Sequence, residues 1–293
     1  MRVAVIGVGV MGSAISGRLL DTGAELWLYD RNADACAPLA ARGATIAASA
    51  AAAAGEADYV VASLNTADIV EQAVFGAGGV SESGSPARLL IDMSSIDAGR
   101  TAAMAARLAD ETGMGWVDAP LSGGAPAAAE GRLTLMVGGG DGDVARARAV
   151  LDRLAANITH LGGSGAGQTV KLVNQILCAA GFLAVAEAVR FAEAHGVDAT
   201  RIPAALAGGR ADSRILQEFM GKMAARDFSP TGRIDNMLKD LETVQASAHA
   251  ARVAMPVTGL IADLHRMLVA GGLGGADSAE YVRLFDLARE PAA

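Results

Sequence analysis

The stretch MRVAVIGVGVMG, Met1 to Gly12, decides the fold. A short β-branched run, Val3 to Ile6, has the length and composition of a buried strand and leads directly into Gly7, Gly9 and Gly12. Apolar residues then recur at helical spacing as far as Leu20. A G-x-G-x-x-G turn between a strand and a helix is built to receive a pyrophosphate. Gly7 permits the tight turn, Gly9 lets the backbone approach the phosphates, and Gly12 lets the helix pack closely on the strand. Val10, Met11 and Gly12 open the helix, whose unpaired N–H groups and partial positive charge favour an anion. In a chain with 36 glycines, the motif alone also fits a purely structural turn.

What lies downstream favours the dinucleotide. Short runs rich in Val, Ile and Leu alternate with alanine-rich helical patterns, the signature of a parallel sheet with crossover helices. Strands are expected at Val3 to Ile6, Glu25 to Tyr29, Tyr59 to Ser63, Leu89 to Met93, Gly115 to Asp118 and Leu133 to Val137. Asp30 ends the second of these, 18 positions beyond Gly12, close to the spacing of about 20 at which a carboxylate accepts from the adenosine ribose. A carboxylate there favours NAD, because it repels the extra phosphate of NADP. Arg31 leaves NADP open, since its guanidinium can pair with a 2′-phosphate.

After about His160 the strand signals stop and helical patterns take over, beginning with a long apolar one from Gly167 to His195. The glycines at 162, 163, 165 and 167 mark a boundary. The expected fold is therefore α/β, a Rossmann-type doubly wound, mostly parallel sheet over residues 1–162. An all-helical domain over 163–293 follows, joined by the long helix. The stretch Thr45 to Ala54 reads as a helix too short to span a membrane, and Glu290 to Ala293 as a frayed end.

With 52% hydrophobic residues the chain can bury a large core, and a net charge of -8 without basic runs argues against nucleic acid as a partner. Cys36 and Cys178 are the two cysteines, and neither has metal-ligand spacing, so no metal site and no disulfide framework is expected. No secretory signal or membrane span is read, and a cytoplasmic setting fits.

Two further segments carry chemistry. Asp118 to Gly124, DAPLSGG, follows a strand, and its Ser122-Gly123-Gly124 turn offers a hydroxyl and backbone N–H groups to a carboxylate. The same segment also reads as an ordinary proline-glycine loop. Ser122 has no nucleophile elbow around it, which disfavours hydrolysis. Farther on, Lys171, Asn174 and Gln175 stand on an otherwise apolar helix at spacings of three and four, so they share one face. Most helix lysines are solvated. One flanked by Leu172, Val173, Ile176 and Leu177 sits on a helix that reads as largely buried. Hydride transfer to a carbonyl leaves charge on oxygen that a proton donor must neutralise, and Lys171 is the candidate.

Together, GVGVMG (7–12), DMSS (92–95), DAPLSGG (118–124), GRLTLMVGG (131–139), GAGQTVKLVNQ (165–175) and KDL (239–241) resemble the beta-hydroxyacid dehydrogenase family over nearly the whole chain. That family includes 3-hydroxyisobutyrate dehydrogenases, tartronate semialdehyde (2-hydroxy-3-oxopropionate) reductases and, more distantly, 6-phosphogluconate dehydrogenases. The resemblance implies that Ser122, Gly123 and Gly124 hold the substrate carboxylate, that Lys171 is the catalytic acid or base, and that Asn174 and Gln175 orient the substrate. It places Ser95 by the nicotinamide and has Lys239 close over the site.

Leu64 and Asn65 stand where the family commonly has Leu-Pro beside the cofactor, so that loop is expected to follow its own path. Arg233 replaces an apolar residue and is either a contact for an acidic substrate or a surface arginine. Gly208 to Ser213 looks more like the tartronate semialdehyde reductases, which tilts the substrate toward a small polar aldehyde acid. A homodimer or homotetramer is implied by the family alone. Two rival readings keep the same fold: an imine reductase, disfavoured by Lys171, and a non-catalytic nucleotide-binding regulatory module, disfavoured by the intact Ser122, Lys171 and Asn174 set.

Overall fold

In a computed structural model, which describes residues 1–288, the chain begins as an alternation of strands and helices. The order is β1 (Arg2–Ile6), α1 (Val10–Asp21), β2 (Glu25–Tyr29), α2 (Ala37–Ala40), β3 (Thr45–Ile46), α3 (Ala50–Glu56), β4 (Tyr59–Ala62), α4 (Ala67–Phe75), β5 (Leu89–Asp92) and α5 (Ala98–Thr112). It continues with β6 (Gly115–Asp118), β7 (Leu121–Ser122), α6 (Gly124–Glu130), β8 (Leu133–Gly138), α7 (Asp141–Leu154) and β9 (Ala155–Gly162). One nine-stranded sheet results, in the order β3-β2-β1-β4-β5-β6-β8-β7, with β9 beside β8. The strands from β3 across to β6 are parallel, whereas β8 runs antiparallel to β6 and β7 and parallel to β9.

The unbroken apolar runs have a physical cause. Successive residues of a strand face opposite sides of a sheet, so a strand covered by helices on both sides must be apolar at every position. Val3 and Val5 pack with Leu26, Leu28 and Val61 on one face, while Ala4 and Ile6 pack with Val60, Ala62 and Leu90 on the other. Helices start where a side chain can accept the free N–H groups of the first turn. Ser49, Thr66 and Asp97 accept from Ala52, Ile69 and Arg100 at 3.0, 3.3 and 2.8 Å.

Three strands were not foreseen, and each is short or exposed. Thr45 to Ala54, expected as one helix, opens instead with β3, paired to Trp27 and Leu28 of β2, and turns helical only after the Ser49 cap. β7 has two residues. β9 is exposed along most of its length and so lacks an apolar pattern.

Two compact units are present, Met1–Lys171 and one beginning at Leu172. The 29-residue helix α8 (Ala166–Ala194) starts in the first and continues in the second. By length and composition α8 is long and apolar enough to cross a membrane. In the second unit it contributes Ala179, Phe182, Leu183, Ala186 and Val189 to a core shared with α10 (Arg214–Ala225), α11 (Ile234–Ala250) and α12 (Pro256–Leu268), after the short α9 (Ile202–Leu206). Phe182 anchors that core, edge-on to Phe219 at 4.7 Å and stacked on Tyr281 at 5.6 Å between ring centres. Glu290 to Ala293 lie outside the described residues.

Candidate active site

Strand order reverses between β1 and β4, and ligands of such sheets bind outside the carboxyl ends of the strands at that reversal. The glycine loop lies there. Gly7 has φ +92°, and a Cβ on it would sit 2.4 Å from the Ser63 carbonyl oxygen. Gly12 is buried in α1, where a Cβ would come within 1.9 Å of the Gly7 carbonyl oxygen. Gly9 is different: nothing lies within 4 Å of where its Cβ would be. Its backbone is open to approach, and α1 starts next to it with Val10, which is 80% exposed, followed by Met11 and Gly12.

A cleft of about 430 Å³ brings together Gly7, Gly9, Asp30, Arg31, Leu64 and Asn65. Asp30 is held at both oxygens, Oδ2 accepting from Val8 N–H at 2.7 Å and Oδ1 from Asn32 N–H at 2.8 Å. The carboxylate that would receive a ribose therefore also braces the glycine loop. Open backbone, an unobstructed helix start and a fixed carboxylate at the rim fit a dinucleotide.

The neighbouring strands end in a different kind of structure. Asp92 and Asp118 are register partners at the ends of β5 and β6, and both are fully buried. Asp92 accepts from Ser94 N–H at 3.0 Å, and burial pushes its carboxyl up to about 6. Asp118 is raised by burial too, although it accepts from Gly165 N–H at 2.8 Å and Gln168 N–H at 3.1 Å, which pins the start of α8 to β6. The Gln168 side chain, buried, donates to Ser94 C=O at 2.8 Å and accepts from Ile96 N–H at 3.1 Å. These are the two peptide groups on either side of Ser95, which is half-buried. Ser94 Oγ in turn accepts from Leu64 N–H at 3.0 Å.

One helical turn beyond Gln168, Lys171 is 9% exposed and donates from Nζ to the Leu121 C=O at 2.9 Å. Leu121 and Ser122 form β7, and Gly123 and Gly124 follow with φ of +124° and +67°, values that favour glycine. Lys171 and the Ser122-Gly123-Gly124 turn are thus brought together. Among the described residues, no group of three or more His, Cys, Asp or Glu side chains is placed to hold a metal ion.

In the second unit, Asn174 Nδ2 donates to Gln175 Oε1 at 2.9 Å, and Gln175 Nε2 donates to Asp240 Oδ2 at 2.5 Å. Lys239 pairs with the other oxygen of Asp240 at 3.0 Å. Asp240 therefore organises Gln175 and Lys239 and had no role in the sequence reading, although it stands inside the KDL segment. Arg233, considered for an acidic substrate, is engaged by Asp235, with Nε 2.9 Å from Oδ1. Asp92, Asp118 and Gln168 were likewise passed over within DMSS, DAPLSGG and GAGQ. For Asp92 and Asp118 the available signal was a carboxylate closing an apolar strand, a position that burial makes costly unless the group has partners.

Comparison with known proteins agrees with this fold. Residues 2–162 match the NAD binding domain of 6-phosphogluconate dehydrogenase, and residues 165–285 match the family described as NAD-binding of NADP-dependent 3-hydroxyisobutyrate dehydrogenase. The chain is 34% identical over 287 residues to 2-hydroxy-3-oxopropionate reductase of Escherichia coli, covering 98% of each. It is 33% identical over 292 residues to NAD-dependent L-serine dehydrogenase of Pseudomonas aeruginosa, covering 97% of this chain and 98% of that one. Mycobacterium tuberculosis 3-hydroxyisobutyrate dehydrogenase, solved with L-serine, superposes with a TM-score of 0.88 at 30% identity, covering 97% of this chain and 98% of that one.

Proposed function

The chain belongs to the beta-hydroxyacid dehydrogenase family of NAD(P)-dependent oxidoreductases, and from that premise we propose that it interconverts a small beta-hydroxyacid and its semialdehyde, with Lys171 as the acid and base. The observation that carries this reading is the buried Lys171 ammonium held 2.9 Å from the Leu121 carbonyl, immediately before the Ser122-Gly123-Gly124 turn. A cation at that place serves a reaction that develops negative charge on oxygen.

In this reading residues 1–162 bind the dinucleotide, with the helical part from 163 onward contributing Lys171, Asn174 and Gln175 to substrate handling. Gly9 and the first turn of α1 receive the pyrophosphate, and Asp30 the adenosine ribose, which favours NAD. The bound nicotinamide supplies the hydride in reduction and takes it in oxidation. The Ser122 hydroxyl and the N–H groups of Gly123 and Gly124 hold the substrate carboxylate. Lys171 gives a proton from Nζ to the carbonyl oxygen as it becomes an alcohol, and takes that proton back in the reverse direction. Asn174 and Gln175, farther along the same helix, orient the substrate. Among substrates of this class, tartronate semialdehyde and its alcohol are the first choice, because Gly208 to Ser213 resembles the reductases of that aldehyde.

Oxidation of NADH, with NADPH in parallel, measured against tartronate, methylmalonate and succinate semialdehydes and glyoxylate, tests the proposal. Rapid turnover of one aldehyde acid is expected, falling at least about 1,000-fold in Lys171→Ala, as for loss of a proton donor together with its charge. Undiminished activity in Lys171→Ala would sink the mechanism.

A further inference from the structure

We propose that Gln168 is a positioning residue for the reaction, holding the loop around Ser95 in fixed register with Lys171. The inference rests on the reading of Lys171 given above.

A carboxamide has one acceptor oxygen and one donor nitrogen, and burying it is costly unless both are matched. Gln168 is 0% exposed, and it matches them to neither its own helix nor a neighbouring side chain. Nε2 takes the Ser94 carbonyl and Oε1 the Ile96 N–H, so the group spans both peptide bonds of Ser95 as one two-point contact. The orientation of the amide is determined, because a carbonyl requires the donor and an N–H the acceptor.

The loop so held follows β5, beyond the strand reversal. A dinucleotide laid across that reversal places one nucleotide half over β1 and β2, where Asp30 and Arg31 stand, and the other over β4, β5 and β6. The Ser95 loop therefore faces the reactive half. Ser94 Oγ joins it to the loop after β4 through Leu64 N–H. On its other side Gln168 is itself anchored, its backbone N–H given to Asp118. The helix cannot back away without losing that contact, and it is already as close as glycine permits: a Cβ on Gly165 would come 2.6 Å from the Ala98 carbonyl oxygen and one on Gly167 2.4 Å from that of Met136. Lys171 is three residues on, about 4.5 Å along the helix axis. One turn of helix thus sets the cofactor-facing loop and the proton donor relative to each other.

Two variants test this. Gln168→Met keeps the length and removes both hydrogen bonds. In the chain without cofactor, amide exchange at Ile96 is expected to rise at least 10-fold while that at Leu90 in β5 stays unchanged. With cofactor, kcat is expected to fall 10- to 100-fold, the scale of a displacement of about 1 Å, with the Kd for NADH within about 3-fold.

Gln168→Glu carries its own signature. A protonated carboxyl has one donor and one acceptor, as the carboxamide does, whereas the carboxylate turns a negative oxygen toward the Ser94 carbonyl. Its kcat relative to wild type at the same pH is expected to recover as pH falls and to decline as pH rises. The titratable groups around it include Asp118, which accepts from the Gln168 N–H, Asp92, which accepts from the N–H of Ser94, and Lys171 one turn along its own helix, and all three are present in the wild-type reference.

Wild-type kcat in Gln168→Met beside an inactive Lys171→Ala would overturn this proposal alone, and so would a loss confined to melting temperature and NADH binding. Activity surviving in Lys171→Ala would overturn the proposed mechanism instead, leaving Ile96 exchange to report the clamp. Should no aldehyde turn over, the emission of bound NADH decides, and emission identical in wild type and Gln168→Met would refute a positioning role.

Discussion

Two regions at the carboxyl ends of the same sheet solve opposite problems. Beside β1, β2 and β4 the chain presents polar groups to whatever enters: an open Gly9 backbone, the start of α1, and the Asp30 carboxylate and Arg31 guanidinium at the rim of a cleft. Beside β5, β6 and the start of α8 it hides them, with Asp92, Asp118 and Gln168 at 0% exposure and turned to loops and backbone rather than to solvent. The open region binds with groups that stay hydrated until a ligand arrives. The closed one carries its desolvation cost permanently, in exchange for fixed geometry. In the proposed reading, affinity rests mainly on the first region and alignment on the second.

Two glycines in the open region separate fold from binding, and they bear the largest expected effects. A Cβ at Gly12 would meet the Gly7 carbonyl at 1.9 Å, a backbone atom that moves only if the β1–α1 turn moves. Gly12→Ala is expected to lose about 3 kcal/mol of stability and more than ~100-fold in NADH affinity. A Cβ at Gly9 meets nothing within 4 Å in the protein. Gly9→Ala should keep the wild-type melting temperature to within about 1 °C while NADH affinity falls more than ~10-fold, because the added methyl occupies the path of the pyrophosphate. Equal melting losses in the two variants, by calorimetry, would mean that Gly9 is a packing glycine and that the open region is less open than described.

The same division explains what could be read from the sequence. The open region is local: a strand, three glycines at fixed offsets and an acid at the end of the next strand, so spacing alone located Gly7, Gly9, Gly12 and Asp30. The parallel strands were legible for a related reason, since burial on both faces leaves an uninterrupted apolar run. The closed region is assembled from segments far apart in the chain. Gln168 meets Ser94 and Ile96 across more than 70 residues, and Asp118 meets Gly165 across 47. Nothing in the local pattern of GAGQ announces that its glutamine faces another loop. β9 escaped for the opposite reason, as its exposed residues carry no periodic signal.

The closed region carries a cost that pH exposes. Asp92 has its carboxyl raised by burial from 3.8 to about 6, and among the described residues Oδ2 accepts no hydrogen bond. The folded state therefore holds this proton more tightly than the unfolded state. Its contribution is fully present below pH about 3.8 and is lost as pH rises through about 6. Above that range the ionised group opposes folding by about 3 kcal/mol, at 1.36 kcal/mol per unit. Asp92→Asn stays neutral and keeps an acceptor for Ser94 N–H, but buries an amide donor where Oδ2 had no partner, which offsets part of the gain. A net stabilisation of about 1 to 2 kcal/mol at pH 7.5 is expected, vanishing near pH ~5 and reversing below it. Thermal denaturation across pH 4 to 8 decides, and a difference that does not vary with pH would show that the Asp92 carboxyl has the same pKa folded and unfolded, so that burial does not raise it.

The smallest effect is expected at the rim of the open region. Arg31 is exposed and lines the cleft next to Asp30, whose carboxylate is immobilised by the N–H groups of Val8 and Asn32. A fixed negative charge at the ribose position accepts from the 2′- and 3′-hydroxyls of NADH but repels a 2′-phosphate. At the 2′ position a solvated guanidinium has nothing to pair with in NADH and a phosphate to pair with in NADPH. Arg31→Ala should thus leave the Kd for NADH within about 2-fold. NADPH should weaken about 5-fold, the scale of an exposed ion pair of roughly 1 kcal/mol, and that loss should shrink with added salt as screening removes it. Titration of both cofactors at low and high ionic strength separates the outcomes. If NADH weakens as much as NADPH, Arg31 packs against the shared adenosine instead of reading the 2′ position, and preference for NAD then rests on Asp30 alone.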